Sequence, residues 1–156
     1  MYRFVPGEAP ASAAELEARY RRTWNGPQAQ GERWYNWAVA PRGEPARAFG
    51  TVELSLLGGG TRALLAYSLG REAQGRGYAT EACRAALAYL RDGTPVRLVE
   101  AFVDTRNARS IALLERLGFA RTATIYGADA FKGTTSDEYQ YSLTLVKDDY
   151  GEVEPR

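Results

Sequence analysis

The sequence predicts an α/β domain whose sheet is mostly antiparallel at its start and flanked by helices. Three observations carry that expectation. Three β-patterned segments follow one another between residues 33 and 69 with only turns between them. A turn punctuated by glycines then opens directly into a clean amphipathic helix, and a strand–helix–strand–strand succession completes the pattern. The predicted order is α-β-β-β-α-β-α-β-β, with no internal repeat, and a length of 156 residues suits one domain spanning 1–156.

Each element has its own justification. Residues 2–10 read as a loop or short extended lead-in. Ser12 stands three residues before Glu15, a capping-box spacing, and Leu16, Tyr20 and Trp24 then recur every four residues, so a helix of about three turns follows. Asn25-Gly26-Pro27 stops it. The first strand, 33–40, places Tyr35, Trp37 and Val39 on one face, and residues 41–45 turn the chain. The second, 48–57, places Val52, Leu54 and Leu56 on one face with Glu53 and Ser55 on the other. Gly58-Gly59-Gly60 makes a hairpin loop, and 62–69 returns as the third strand.

The helix opening near Tyr78 carries Ala79, Ala82, Cys83, Ala86, Leu87 and Leu90 as one apolar stripe, with Glu81, Arg84 and Arg91 outside it. Residues 96–104 form a further strand. Asn107 caps a helix running through Leu117, which Gly118 closes in the left-handed conformation with Phe119 folding back. Two final strands, 120–126 and 138–146, flank a polar loop containing Gly133 and Asp137, and the acidic tail 147–156 is expected to fray.

Composition excludes several function classes. Hydrophobic residues at 45 % and charged residues at 25 % match an ordinary soluble domain. Lys+Arg number 20 against Asp+Glu 19, a net charge of +1, which argues against nucleic-acid binding through bulk charge. The single cysteine, Cys83, makes no internal disulfide, and there is no secretory signal or membrane-length apolar run, so a reducing cytoplasm is the expected setting. Cys83 lies on the apolar stripe and reads as a packed small hydrophobe. There is no histidine, which removes every mechanism that needs an imidazole base or ligand. No metal is expected.

The stretch "REAQGRGYATEACRAALAYL" carries the main chemical signal. Gly75 and Gly77 flank Arg76, with Gln74 before them, and glycines let successive backbone N–H groups approach an anion. The unpaired N–H groups and dipole at the helix start add to the attraction. An ordinary tight strand-to-helix turn is the competing reading. A P-loop is excluded because Gly-Lys-Ser/Thr is absent, and a Rossmann turn because Thr80 stands where its third glycine belongs.

Two further stretches fall in register with that turn. "YSLGREAQGRGYATEACRAAL" resembles the acyl-CoA-binding segment of the GNAT superfamily of N-acetyltransferases, whose Gln/Arg-x-x-Gly-x-Gly/Ala signature is met by Gln74, Gly77 and Ala79. "VDTRNARSIALLERLGF" is similar to the Asn-x-x-Ser…Leu-Glu-x-Leu-Gly-Phe pattern of the RimJ/RimL-like branch, and "DEYQYSL" resembles the same branch. The resemblance covers roughly 37–145. It implies a GNAT-like mixed sheet with strands splayed at the coenzyme site. The pyrophosphate of acetyl-CoA would lie on the amides of Gly75, Arg76, Gly77, Tyr78 and Ala79, with the pantetheine arm beside Ser68 and Leu69. The thioester would sit where that strand and the one ending at Asp104 part. Coenzyme A is the implied product.

Amine attack on a thioester needs a neutral amine, stabilisation of the developing oxyanion, and a donor for the leaving thiolate. The backbone N–H near Leu69 is the oxyanion candidate. The family tyrosine that usually serves the thiolate is replaced here by Leu114, which leaves the serine of Asn-x-x-Ser, Ser110, as the implied donor. Ser110 also reads as a polar residue of a first helical turn. Asn107 reads as N-cap, coenzyme contact, or both. Glu53, Asp104 and Glu138 are the carboxylates left to hold an ammonium or relay its proton through water, each also readable as a solvated strand or loop charge, and Tyr67 is a further substrate-side candidate. No carboxylate stands at Leu64, Leu65 or Ala66 on the third strand. A site without a strong base suits an α-amine, with a pKa of about 8, better than a lysine near 10.4.

Similar family members carry another strand and helix before the segment matching "YRFVPGEAPASAAELEARY", which leaves three readings: the reading frame begins short, another chain supplies the sheet edge, or the fold tolerates the loss. The expected partner is then an amine acceptor, either a peptide N-terminus or a small molecule. A homodimer or a partner supplying a sheet edge is the other expectation, with no nucleic acid and no membrane. The rival class is a non-catalytic acyl-CoA-binding module used for sensing or assembly.

Overall fold

Alternation of apolar and polar residues builds the first half of the sheet. In the computed structural model, which describes residues 4, 8–24, 26, 31–131 and 134–146, helix α1 (Ala13–Trp24) precedes three antiparallel strands. These are β1 (Arg33–Val39), β2 (Gly50–Leu56) and β3 (Arg62–Leu69). Ser12 Oγ accepts the Glu15 N–H at 3.2 Å, and the Glu15 carboxylate reaches back to the Ala11 N–H at 2.8 Å, so the capping box closes one residue upstream of its usual reciprocal contact. Asn25, Pro27, the residues of 2–10 other than Phe4 and 8–10, and the tail 147–156 lie outside the described residues.

After β3 come a short 3-10 turn (Arg71–Ala73), helix α2 (Tyr78–Gly93), β4 (Leu98–Asp104), helix α3 (Ala108–Arg116), β5 (Ala120–Phe131) and β6 (Thr134–Thr144). The six strands form one sheet in the order β1-β2-β3-β4-β6-β5. Every neighbouring pair is antiparallel except β3 and β4, which run parallel. The predicted mixed, mostly antiparallel α/β sheet is therefore the observed one.

One face of this sheet carries the core. Val52, Leu54 and Leu56 of β2, Ala63 and Leu65 of β3, and Val99, Ala101 and Val103 of β4 pack with Cys83, Leu87 and Leu90 of α2 and with Leu113 and Leu114 of α3. Leu54 and Leu90 are wholly buried, and each such leucine contributes about 1.5–3 kcal/mol. Tyr35 and Trp37 stack on β1 with centroids 5.8 Å apart, and both meet the Tyr89 ring of α2 edge-on. The apolar stripe of α2 is as expected, with Thr80 buried beside it. Helix α3 ends as expected too: Gly118 has φ +89° and the Phe119 N–H returns to Leu114 O at 3.0 Å.

Two expectations need correction. β2 begins at Gly50 and β4 at Leu98, two residues later than the pattern suggests in each case. Before β4, the N–H groups of Arg97 and Leu98 both turn onto Thr61 O, at 2.8 and 3.2 Å, while Val96 is already buried. The larger correction concerns the end of the chain. Asp137 is not in a loop: β5 and β6 form one long hairpin, with its register shifting between Ile125 and Asp129. The Asp137 carboxylate accepts the N–H of Gly127, at φ +61°, over 2.8 Å, so a polar side chain satisfies the bulge that the strand pattern conceals. Gly133 lies outside the described residues.

Candidate active site

The site begins where the parallel pairing fails. β3 and β4 pair through only three residues each, Arg62 with Leu98, Ala63 with Val99 and Leu64 with Glu100. Beyond them β3 continues along β2 to Leu69 and β4 along β6 to Asp104, and the two strands part. A clip holds the apex. Glu100, 5 % exposed, accepts from Arg62 Nη2 at 2.5 Å and from Gln140 Nε2 at 2.6 Å.

The antiparallel ladder decides which backbone groups face the gap. Gly70 N–H donates to Phe49 O at 2.7 Å and Leu57 N–H to Arg62 O at 3.0 Å, so the even-numbered residues of β3 are the ones bonded to β2. Tyr67 and Leu69 consequently turn their N–H groups the other way, to the side from which β4 has departed. The Leu69 carbonyl is engaged by Gln74 Nε2 at 3.1 Å, while its N–H points into the gap.

The glycine turn sits at the end of the same strand. Gly75 has φ +74° and Gly77, the N-cap of α2, has φ +82° with no side-chain cap on the helix. A Cβ added at either would meet nothing within 4 Å, so the left-handed backbone, not crowding, is what requires glycine here. No side chain caps the first amides of α2, the arrangement that receives a phosphate at a helix start. The residues present fit the pyrophosphate of a coenzyme.

Helix α3 supplies the opposite wall. Asn107 Oδ1 accepts the Ser110 N–H at 3.3 Å and so caps the helix. Ser110 Oγ lies 2.6 Å from Tyr67 Oη across the gap, and Ser110 O lies 3.3 Å from the same oxygen. Burial pushes the Tyr67 phenol up to about 12, against a smaller opposing effect of the Ser110 contact. Arg109 Nη1 donates to Gln74 Oε1 at 2.8 Å, so Leu69, Gln74 and Arg109 form a second bridge between strand and helix. Sequence reasoning passed over Arg109; its place inside Asn-x-x-Ser was the available signal. Leu114, at the position where the family tyrosine usually stands, is 1 % exposed and belongs to the core. Cys83 is fully buried, and burial raises its thiol to about 12.

The three carboxylates approach from the other face. Val52 pairs with Tyr67 on the helix face, so Glu53 lies opposite, accepting from Thr51 Oγ1 at 3.1 Å. Asp104 alternates with Val103 and pairs with Glu138. Asp104 is no solvated charge, at 3 % exposure: Arg106 grips it through its N–H and Nε, both at 2.8 Å, and its Nη2 at 2.5 Å. That guanidinium holds the Asp104 carboxyl below its ordinary range. Burial first, then the charges of Asp129 and Asp104, raises the Glu138 carboxyl. The Tyr67 and Ser110 hydroxyls therefore meet the gap from the helix side, and the acidic groups, with the Thr51 and Ser68 hydroxyls, lie on the other.

The family model for the acetyltransferase (GNAT) domain matches residues 1–120. The chain belongs to the GNAT acetyltransferase family. The match includes the first 36 residues, which the motifs alone left out. Mycothiol acetyltransferase of Salinispora tropica is 36 % identical over 118 residues, 74 % of this chain and 36 % of that protein. An uncharacterized N-acetyltransferase p20 of Bacillus licheniformis is 34 % identical over 82 residues, 53 % of this chain and 46 % of that one. The matches thus span less than half the length of both relatives.

Among solved structures, Ribosomal-protein-S5-alanine acetyltransferase from Vibrio fischeri superposes with a TM-score of 0.75 at 20 % identity, covering 95 % of this chain and 80 % of that one. Spermidine N-acetyltransferase from Vibrio cholerae, solved with CoA and spermine, gives 0.70 at 21 %, covering 89 % and 79 %. These likenesses establish the GNAT fold. Among the described residues no helix is long and apolar enough to cross a membrane, and no group of three His, Cys, Asp or Glu could hold a metal ion.

Proposed function

We propose that the chain is an N-acetyltransferase of the RimJ/RimL-like branch that moves an acetyl group from acetyl-CoA to a primary amine, a peptide N-terminus or a small molecule, in a ternary complex. Acetyl-CoA supplies the activated thioester. The observation that carries the reading is the gap itself: pairing between β3 and β4 stops at Leu64 and Glu100, and the Leu69 N–H, the glycine turn and Ser110 all meet the space beyond.

The division of labour follows from the two faces. Uncapped amides from Gly75 to Ala79 hold the pyrophosphate, with Ser68 and Leu69 beside the pantetheine arm and Asn107 at the start of α3. The Leu69 N–H stabilises charge developing on the carbonyl oxygen, an interaction that strengthens towards the transition state. Ser110 donates a hydrogen bond to the departing sulfur. As the new C–N bond forms the C–S bond breaks, and the proton lost by nitrogen balances the one gained by sulfur, carried through solvent. Glu138 and Glu53, on the opposite face, attract the amine as its ammonium before it loses a proton, while Asp104 is already paired with Arg106. An α-amine reaches its neutral form more readily than a lysine. A reducing cytoplasm is the proposed setting.

Incubation with acetyl-CoA and a panel of alanine-terminated peptides and polyamines, with free thiol monitored, tests the reading. Amine-dependent thiol release supports it. Coenzyme binding without thiol release for any amine would instead establish the rival, a non-catalytic acyl-CoA-binding module.

A further inference from the structure

The serine assigned to the leaving thiolate does not stand alone. Ser110 Oγ lies 2.6 Å from Tyr67 Oη, a contact that crosses from the third strand to the helix at the point where the neighbouring strands have parted. A serine hydroxyl proton rotates to whichever acceptor is within reach, and nearby backbone carbonyls are common ones. A donor already engaged in that way offers nothing to a sulfur in the gap.

We propose that Tyr67 is a positioning residue: its hydroxyl donates to Ser110 Oγ and so turns the serine's own proton towards the departing sulfur. The inference rests on the assignment of Ser110 made above. Two arrangements of the pair are chemically available. In one, Tyr67 donates to Ser110 Oγ across 2.6 Å; in the other, Ser110 donates to the phenol and Tyr67 turns to Ser110 O at 3.3 Å. Two arguments select the first. A phenol is a stronger acid than an aliphatic alcohol and hence the better donor, while the alcohol oxygen is the better acceptor. The phenol's single proton also gains more from the 2.6 Å contact than from the 3.3 Å one.

The packing around Tyr67 suits a fixed donor. The residue is half-buried against the core, with its ring on the same sheet face as Val52. Its phenol, raised to about 12, keeps its proton at every pH at which the protein would work. Tyr67 therefore transfers no proton and needs no co-reactant; it holds a rotor. Ser110 is the group that touches the reacting sulfur, and Tyr67 acts only through it.

A double-mutant cycle on the full chain tests this, with acetyl-CoA as donor and spermidine or an alanine-terminated peptide as acceptor. Tyr67→Phe keeps the ring and removes the hydroxyl, so the expected result is a kcat lowered about tenfold or more with KM for acetyl-CoA unchanged, the signature of a contact realised in the transition state. Combined with Ser110→Ala, the tyrosine change should cost nothing further, because its effect passes through the serine. Losses that simply multiply would overturn the proposal, since Tyr67 would then act independently. If Ser110→Ala lowers kcat and Tyr67→Phe does not, the positioning role fails while the donor assignment stands; if Ser110→Ala is silent, the donor assignment itself fails.

A readout without turnover covers the remaining case. In proton NMR the Tyr67 hydroxyl proton, shared over a short contact, should resonate downfield in slow exchange and vanish on Ser110→Ala. Its persistence in that variant would show that the phenol donates elsewhere and would overturn the proposal whichever amine is the acceptor.

Discussion

Replacing Gly77 by glutamate separates the cost of backbone strain from the loss of an anion site. Gly77 holds φ +82° at the start of α2, a conformation that costs a residue bearing a Cβ about 1–2 kcal/mol. Nothing lies within 4 Å of the new Cβ, so crowding adds little. At about 2–4 °C per kcal/mol for a chain of this size, the ligand-free variant should melt about 2–8 °C lower. Coenzyme A at a hundred times its dissociation constant stabilises the native protein by about 2.7 kcal/mol, roughly 5–11 °C on the same scale. The introduced carboxylate would stand where the pyrophosphate must meet the amides, and that increment should disappear.

Gly59→Glu is the control. Gly59 has φ +88° and equally open surroundings, but it lies in the hairpin loop at the other end of β3. It should show a comparable drop in melting temperature and keep the full coenzyme shift. Differential scanning fluorimetry of the three proteins with and without coenzyme A is the assay. If the Gly77 variant keeps the native increment, the phosphate assignment of the turn is wrong.

Three other outcomes are expected. Ser110→Ala should lower kcat about ten- to a thousandfold with the coenzyme dissociation constant nearly unchanged, measured by thiol release and by calorimetry; full turnover in the variant would reduce the serine to a helix-start residue. Cys83, raised from 9.0 to about 12 by burial, binds its proton more tightly folded than unfolded. Its contribution is therefore whole below about pH 9 and is lost as pH rises from there towards 12, so the urea midpoint of the native chain should fall more between pH 8 and pH 10 than that of Cys83→Ala. Equal falls would exclude Cys83 as a source of alkaline instability. Among the described residues β1 is an edge of the sheet, and if another chain pairs there sedimentation should reveal a dimer or a bound partner; a monodisperse monomer would count against it.

Much of this protein was legible in the sequence because the relevant signals are local. The period-two burial of Val52, Leu54 and Leu56, the stripe of α2, the Asn107 cap and the Gly118 stop each depend on residues within a few positions of one another. The glycines at 75 and 77 announce their left-handed backbone for the same reason. The C-terminal hairpin was less legible, because its bulge is satisfied by the Asp137 carboxylate from across the turn, and polar composition there reads as loop.

The tertiary structure alone decided what the sheet brings together. That β3 and β4 part after Leu64 and Glu100 depends on competing ladders to β2 and β6, and each ladder joins residues distant in the chain. The same long-range register turned the Leu69 N–H into the gap and set Glu53, Asp104 and Glu138 on the face opposite Ser110. It also joined Tyr67 to Ser110, 43 residues apart, and Gln74 to Arg109, 35 apart. Residue type and local spacing determine which elements form and where an anion is welcome. Which side chains share a gap is set by strand register, and register is a property of the whole sheet.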